Sequence, residues 1–125
     1  MTTELEPRTF RVTRQDLVAY AEASGDHNPI HQDEQVARSV GLPGVIAHGM
    51  YTMALAARFV EEHAGPGRVV GFGAKFVKPV VVPVEGTEVV VSGVQEERDG
   101  VATVTLSVTC DGVDVLRGCK ATLRD

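Results

Sequence analysis

Within Ser24-Gly25-Asp26-His27-Asn28-Pro29-Ile30-His31, a carboxylate and an imidazole stand five residues apart in a stretch that cannot be regular helix. Pro29 has no N–H and drives Asn28 toward extended backbone, while Gly25 permits a turn on the other side. A loop bent at both points can bring Asp26 and His31 to one place, whereas on a helix this spacing would leave them apart around the axis. Two such groups can share or relay a proton near neutral pH, which is acid/base chemistry. The plainer alternative is that Asp26 and Asn28 only cap turns and the helix that follows.

The elements that hold this loop are written on either side of it. Residues 8–12 read as a short strand. Thr13 followed by Asp16 signals a helix start, Leu17, Val18, Tyr20 and Ala21 recur at helical spacing, and Ser24-Gly25 stops the helix. Beyond the loop, 33–40 reads as a short helix closed by Gly41. Residues 49–63 read as a longer one, in which Met50, Met53, Ala54, Ala57, Phe59 and Val60 leave few polar positions. A helix apolar on nearly every side is expected to be buried on nearly every side, with Ala54, Ala56 and Ala57 letting a sheet approach closely.

From Arg68 the period changes to two. Residues 69–77, 88–95, 101–110 and 113–123 read as strands, with turns at Gly86, Asp99-Gly100 and Asp111-Gly112. Pairing Cys110 with Val113 puts Val104, Leu106, Val108, Cys110, Val113, Val115 and Cys119 on one face. Thr103, Thr105, Ser107, Thr109, Asp114 and Lys120 fall on the other. Only Arg117 inside and Leu116 outside break the alternation, which marks an interface or an edge. This register sets Cys119 opposite Val104, too far along the ladder from Cys110 for a disulfide, so both read as reduced, buried thiols. The architecture expected is α+β, a curved antiparallel sheet wrapped around one long buried helix.

A chain of 125 residues, 43% hydrophobic and 23% charged, has the size and composition of one globular domain spanning 1–125. The first residues carry no basic start and no apolar run, and no stretch approaches a membrane span, so a cytoplasmic protein without membrane contact is expected. A net charge of −5 disfavours nucleic acid as a partner. None of the four histidines pairs at helical ligand spacing or stands with a cysteine, so no metal is expected. Gly71-Phe72-Gly73 begins no helix and is not a dinucleotide loop. It reads instead as strand approached closely by substrate or by a partner subunit.

The run from Tyr20-Ala21-Glu22-Ala23-Ser24-Gly25-Asp26 through Asn28-Pro29-Ile30-His31 and Asp33 to Ala47-His48-Gly49-Met50 resembles the hydratase motif of the MaoC-like family. That family comprises (R)-specific enoyl-thioester hydratases and (3R)-hydroxyacyl-thioester dehydratases of hot-dog fold. Thr13-Arg14-Gln15-Asp16-Leu17-Val18 and Val40-Gly41-Leu42 look most like the catalytic subunit of actinobacterial type II fatty-acid synthase dehydratases. The match covers most of the chain and is specific at its core; the C-terminal half agrees in pattern.

The resemblance implies an Asp26/His31 catalytic dyad, with Asn28 holding the loop or the water. Gly49 lies where the long helix begins, and a helix N-terminus offers unpaired N–H groups to a developing negative charge. The resemblance likewise makes the Gly49 N–H the oxyanion hole; the alternative is that packing against a strand excludes a Cβ there. His48 braces the loop or touches substrate. The substrate implied is an acyl thioester on coenzyme A or acyl carrier protein, with no cofactor, in a homodimer or a heterodimer with a homologous subunit. Met50, Met53, Phe59 and Phe72 are expected to shape the acyl tunnel. Lys75, Lys78, Arg68 and Arg58 are the candidates for meeting an anionic carrier. A hot-dog thioester-binding module without activity is the competing class, and the complete motif set argues against it. A thioesterase would need an acid on or near the long helix, and 49–60 holds none.

Overall fold

Alternation of β-branched residues with polar ones from Thr87 onward builds most of the sheet. The computed structural model describes residues 2–125. Its strands are β1 (Thr2–Val12), β2 (Val69–Phe76), β3 (Thr87–Arg98), β4 (Val101–Cys110) and β5 (Val113–Leu123), and its helices α1 (Arg14–Ser24), α2 (Glu34–Ser39) and α3 (Gly49–Ala64). The strands form one antiparallel sheet in the order β1-β3-β4-β5-β2, so β1 and β2 are its edges. Helix α3 packs against all five strands. This is the hot-dog arrangement, as expected from the sequence.

One face of the sheet supplies Val89, Val91, Val104, Val108 and Ala121 to a core completed by Leu55, Ala56, Phe59 and Val60 of α3. Burying each large apolar side chain there contributes about 1.5–3 kcal/mol. Helix α1 begins as its sequence predicts: Thr13 and Asp16 form a reciprocal capping box, and Gly25, at φ 80°, closes the helix with its N–H on the Ala21 carbonyl.

Three expectations are corrected. Strand β1 runs the whole way from Thr2, with a bulge between Leu5 and Arg8, because polar residues suit a strand at the edge of a sheet. Helix α3 buries only one face. Met50 is 57% exposed and Ala54 is exposed, while Met53 and Ala57 are half-buried. A single sheet covers one side of a cylinder, so an apolar circumference does not translate into burial all round.

The β4–β5 register also differs. Cys110 does pair with Val113, but Val108 pairs with Leu116 and Leu106 with Cys119, so β5 carries two extra residues and Ala121 stands opposite Val104. The bulges turn Leu116 inward and Arg117 outward, which removes both apparent faults in the alternation. Gly118, at φ 57°, supplies the left-handed backbone the second bulge requires. Val113 lies 45% exposed at the turn, not in the core. Cys110 and Cys119 are free and buried, as expected, and burial pushes the Cys119 thiol up to about 11.

Candidate active site

The loop after α1 is shaped by its own short polar side chains. Asp26 N–H donates to Ser24 Oγ, Asn28 N–H to Asp26 Oδ1, and Ile30 N–H to Asn28 Oδ1, each at 3.2 Å. Asn28 thereby caps a 3-10 turn, Pro29–His31, and Asp33 caps α2 by accepting from Gln35 and Val36. The capping roles open in the sequence are therefore real, and for Asn28 they amount to holding the loop. Asp26 remains an exposed residue while making its cap.

His31 is buried, and its Nδ1 lies 2.7 Å from the Ile46 carbonyl. A carbonyl only accepts, so Nδ1 carries the proton and Nε2 is left as the basic nitrogen. His48 is only 2% exposed, and its Nε2–H donates to the Asp26 carbonyl at 3.0 Å. The two rings stack with centroids 3.8 Å apart and planes at 23°, and Tyr20 packs on His48 at 4.8 Å. One polar atom from each of Asp26, His31 and His48 lies within 4.8 Å of the others. The bend at Gly25 and Pro29 has brought acid and imidazole to one place.

His48 braces the loop through the Asp26 carbonyl. Its Nδ1 is buried and meets no hydrogen-bond partner among the described residues. The Asp26, His31 and His48 atoms are close enough together to share a cation. His27 is exposed, and His63 on the far end of α3 bonds Gln95.

A pocket of about 330 Å³ opens beside His31 and the start of α3. Gly49, Thr52, Phe76, Lys78, Val80 and Leu116 are among the residues that line it. Met50, Met53, Phe59 and Phe72, expected to shape a tunnel, are not in its wall: α3 is rotated so that Thr52 faces the pocket and Phe59 the core. A Cβ on Gly49 would meet the Phe76 ring at 3.1 Å, so the packing reason for glycine is present as well as the exposed helix N-terminus.

Of the basic candidates, Arg58 bonds Glu62 and lies over the Phe10 ring, and Arg68 bonds the Arg124 and Ala64 carbonyls. Lys75 and Lys78 are exposed, Lys78 at the pocket wall. Gly71 packs against Thr122 and Gly73 faces open space. The groups the sequence reading missed are the Ile46 carbonyl, Thr52 and Phe76. A backbone carbonyl leaves no residue signature, but Phe76 could have been flagged as a large apolar residue at a strand end facing the helix start.

A family model described as MaoC like domain matches residues 2–112. The 3-hydroxyacyl-thioester dehydratase X of Mycobacterium tuberculosis is 39% identical over 74 residues, which is 59% of this chain and 26% of that protein. Among solved structures, a MaoC-like dehydratase superposes with a TM-score of 0.95 at 34% identity, covering 99% of this chain and 40% of that one. The (R)-hydratase from A. caviae involved in PHA biosynthesis superposes with a TM-score of 0.83 at 25% identity, covering 99% of this chain and 93% of that one. The chain thus spans about a quarter of the length of the Mycobacterium relative and two-fifths of the first structural one.

Proposed function

The chain belongs to the MaoC-like domain family, and from that membership we propose that it is a hydro-lyase acting on acyl thioesters, adding water to a 2-enoyl thioester and removing it from the (3R)-3-hydroxyacyl thioester. The observation that carries this reading is the gathering of the Asp26 carboxylate and the His31 imidazole within 4.8 Å, with His31 and Gly49 both in the wall of one pocket. Relatives named as a 3-hydroxyacyl-thioester dehydratase and an (R)-hydratase support it.

In the hydration direction, Asp26 and His31 hold one water between them. As its oxygen bonds the β-carbon, one water proton passes to the dyad, and the dyad delivers a proton to the α-carbon on the same face. The C=C bond becomes a single bond and one water is consumed. Negative charge building on the thioester oxygen is met by the Gly49 N–H at the start of α3, where the helix dipole favours it. Asn28 and His48 hold the loop. No cofactor enters the balance beyond the thioester's own carrier, coenzyme A or acyl carrier protein.

The test is to present the purified chain with crotonyl, octenoyl and longer enoyl thioesters on both carriers and to resolve the product on a chiral column. Hydration to the (R) alcohol is the expected result. An (S) product overturns the stereochemistry, and binding without turnover favours the non-catalytic module.

A second reading, a catalytic half active only with a homologous subunit, draws support from the pocket's position. Phe76, Val77 and Lys78 in its wall belong to the end of edge strand β2 and the residues just after it, so a neighbouring subunit paired along that edge would complete the site. Activity that appears only on co-expression with a homologue distinguishes this reading.

A further inference from the structure

His31 is held by a peptide carbonyl, so whatever fixes that carbonyl fixes the imidazole. Ile46 lies in an extended run, 45–47, laid against 80–82: Val82 N–H donates to the Val45 carbonyl at 2.8 Å and Ala47 N–H to the Val80 carbonyl at 2.9 Å. Ile46 turns its own backbone groups the other way. Its N–H donates to the Ile30 carbonyl at 3.2 Å, and its carbonyl accepts from His31 Nδ1.

The register of this run against the 3-10 turn is pinned at Glu34. Its carboxylate accepts from Arg14 Nη2 at 2.9 Å, while Arg14 Nε donates at 2.9 Å to the carbonyl of Val82, whose own N–H is bonded to Val45. Arg14 is the first residue of α1 and Glu34 the first of α2, so one ion pair ties both helices to both extended segments. Gly44 leaves room for it, since a Cβ there would stand 2.5 Å from Glu34 Oε1. Arg14 beside it, with Arg38 further off, holds the Glu34 carboxyl below its ordinary range, so it is an ionised acceptor at neutral pH.

We propose that the Arg14–Glu34 pair is a positioning device for His31: by fixing the Ile46 carbonyl it keeps the proton on Nδ1 and leaves Nε2 as the base. Neither residue lines the pocket. The catalytic consequence rests on the hydratase reading above, whereas the tautomer is a property of the folded chain whatever its reaction.

Three variants separate the possibilities. Glu34→Ala removes the acceptor for Arg14, Glu34→Gln keeps an acceptor for Arg14 but loses the charge, and Gly44→Ala keeps both charges while displacing the carboxylate. Nitrogen-15 NMR of the His31 ring and steady-state kinetics on crotonyl-coenzyme A are the readouts. Glu34→Ala and Gly44→Ala are expected to mix the His31 tautomers and to lower kcat on the order of ten-fold, as a small misplacement of a catalytic group does, with KM little changed. Glu34→Gln should restore the Nδ1–H tautomer and most of kcat.

The proposal is overturned if both Ala variants keep the wild-type ring-nitrogen shifts, whether or not kcat falls. Should Glu34→Ala fail to fold, Gly44→Ala and Glu34→Gln carry the same comparison. A wild-type chain that hydrates no enoyl thioester defeats the hydratase reading alone, and the ring-nitrogen shifts still decide the positioning role.

Discussion

A carbonyl oxygen can only accept, and that fact orders the site: Ile46 sets the proton on His31 Nδ1, and the Asp26 carbonyl sets the proton on His48 Nε2. If the remaining His31 nitrogen and the Asp26 carboxylate handle the water, Asp26→Asn and His31→Ala should each lower hydratase turnover by roughly 10²–10⁴. Asp26→Asn should leave the melting transition in place, because the residue is exposed and Asn can still accept from the Asn28 N–H. Near wild-type turnover in either variant removes the dyad assignment. The approach of Asp26 to His31 was legible in the chain because Gly25 and Pro29 write the bends that bring the two together. Thr52 and Phe76 were not, since which residues of α3 face a pocket depends on how the helix is rotated, and a helix apolar on most sides carries no such angle.

At the level of elements, the two-residue period of β3, β4 and β5 was readable, because the alternating Val and Thr side chains must sort between core and solvent. The bulges in β5 were not, because an extra residue adds no hydrophobic signal; Arg117 on the wrong face and Gly118 beside it were the available traces. A Cβ at Gly118 would touch none of the described residues within 4 Å, so Gly118→Val should cost only the backbone penalty of the left-handed region, about 1–2 kcal/mol. A denaturation midpoint lowered by that amount with the fold retained is the expected outcome, and no change would mean the bulge does not need glycine. Helix α3 offers a paired test of its single buried face. Leu55→Asp puts an unpaired carboxylate into the core and should abolish soluble expression, whereas Ala54→Asp, on the exposed side, should change stability by no more than about 0.5 kcal/mol. Equal tolerance of both charges contradicts the packing of α3 on the sheet.

Across the whole molecule, the two sheet edges differ in how they meet solvent. Strand β1 ends the sheet with a bulge and with Glu4, Glu6 and Arg8, the charged and irregular features that keep an edge from pairing. Strand β2 ends it with Val70 exposed at 61% and Phe76 at 55%, and Val77 and Met50 lie exposed nearby. An apolar edge of eight residues in water is a template for another strand, and the pocket wall at Phe76 and Lys78 lies at the end of that edge. Pairing along β2 would therefore cover apolar surface and close the pocket in one step. Sedimentation of the purified chain is expected to show twice the mass of one chain, or a monomer that assembles when a homologous subunit is supplied. Val70→Lys, which places a charge on the outer edge without touching the Asp26/His31 loop, should weaken that assembly and lower turnover together. A chain that sediments as a monomer and hydrates enoyl thioesters at full rate contradicts pairing along β2, and with it the completion of the pocket by a second subunit.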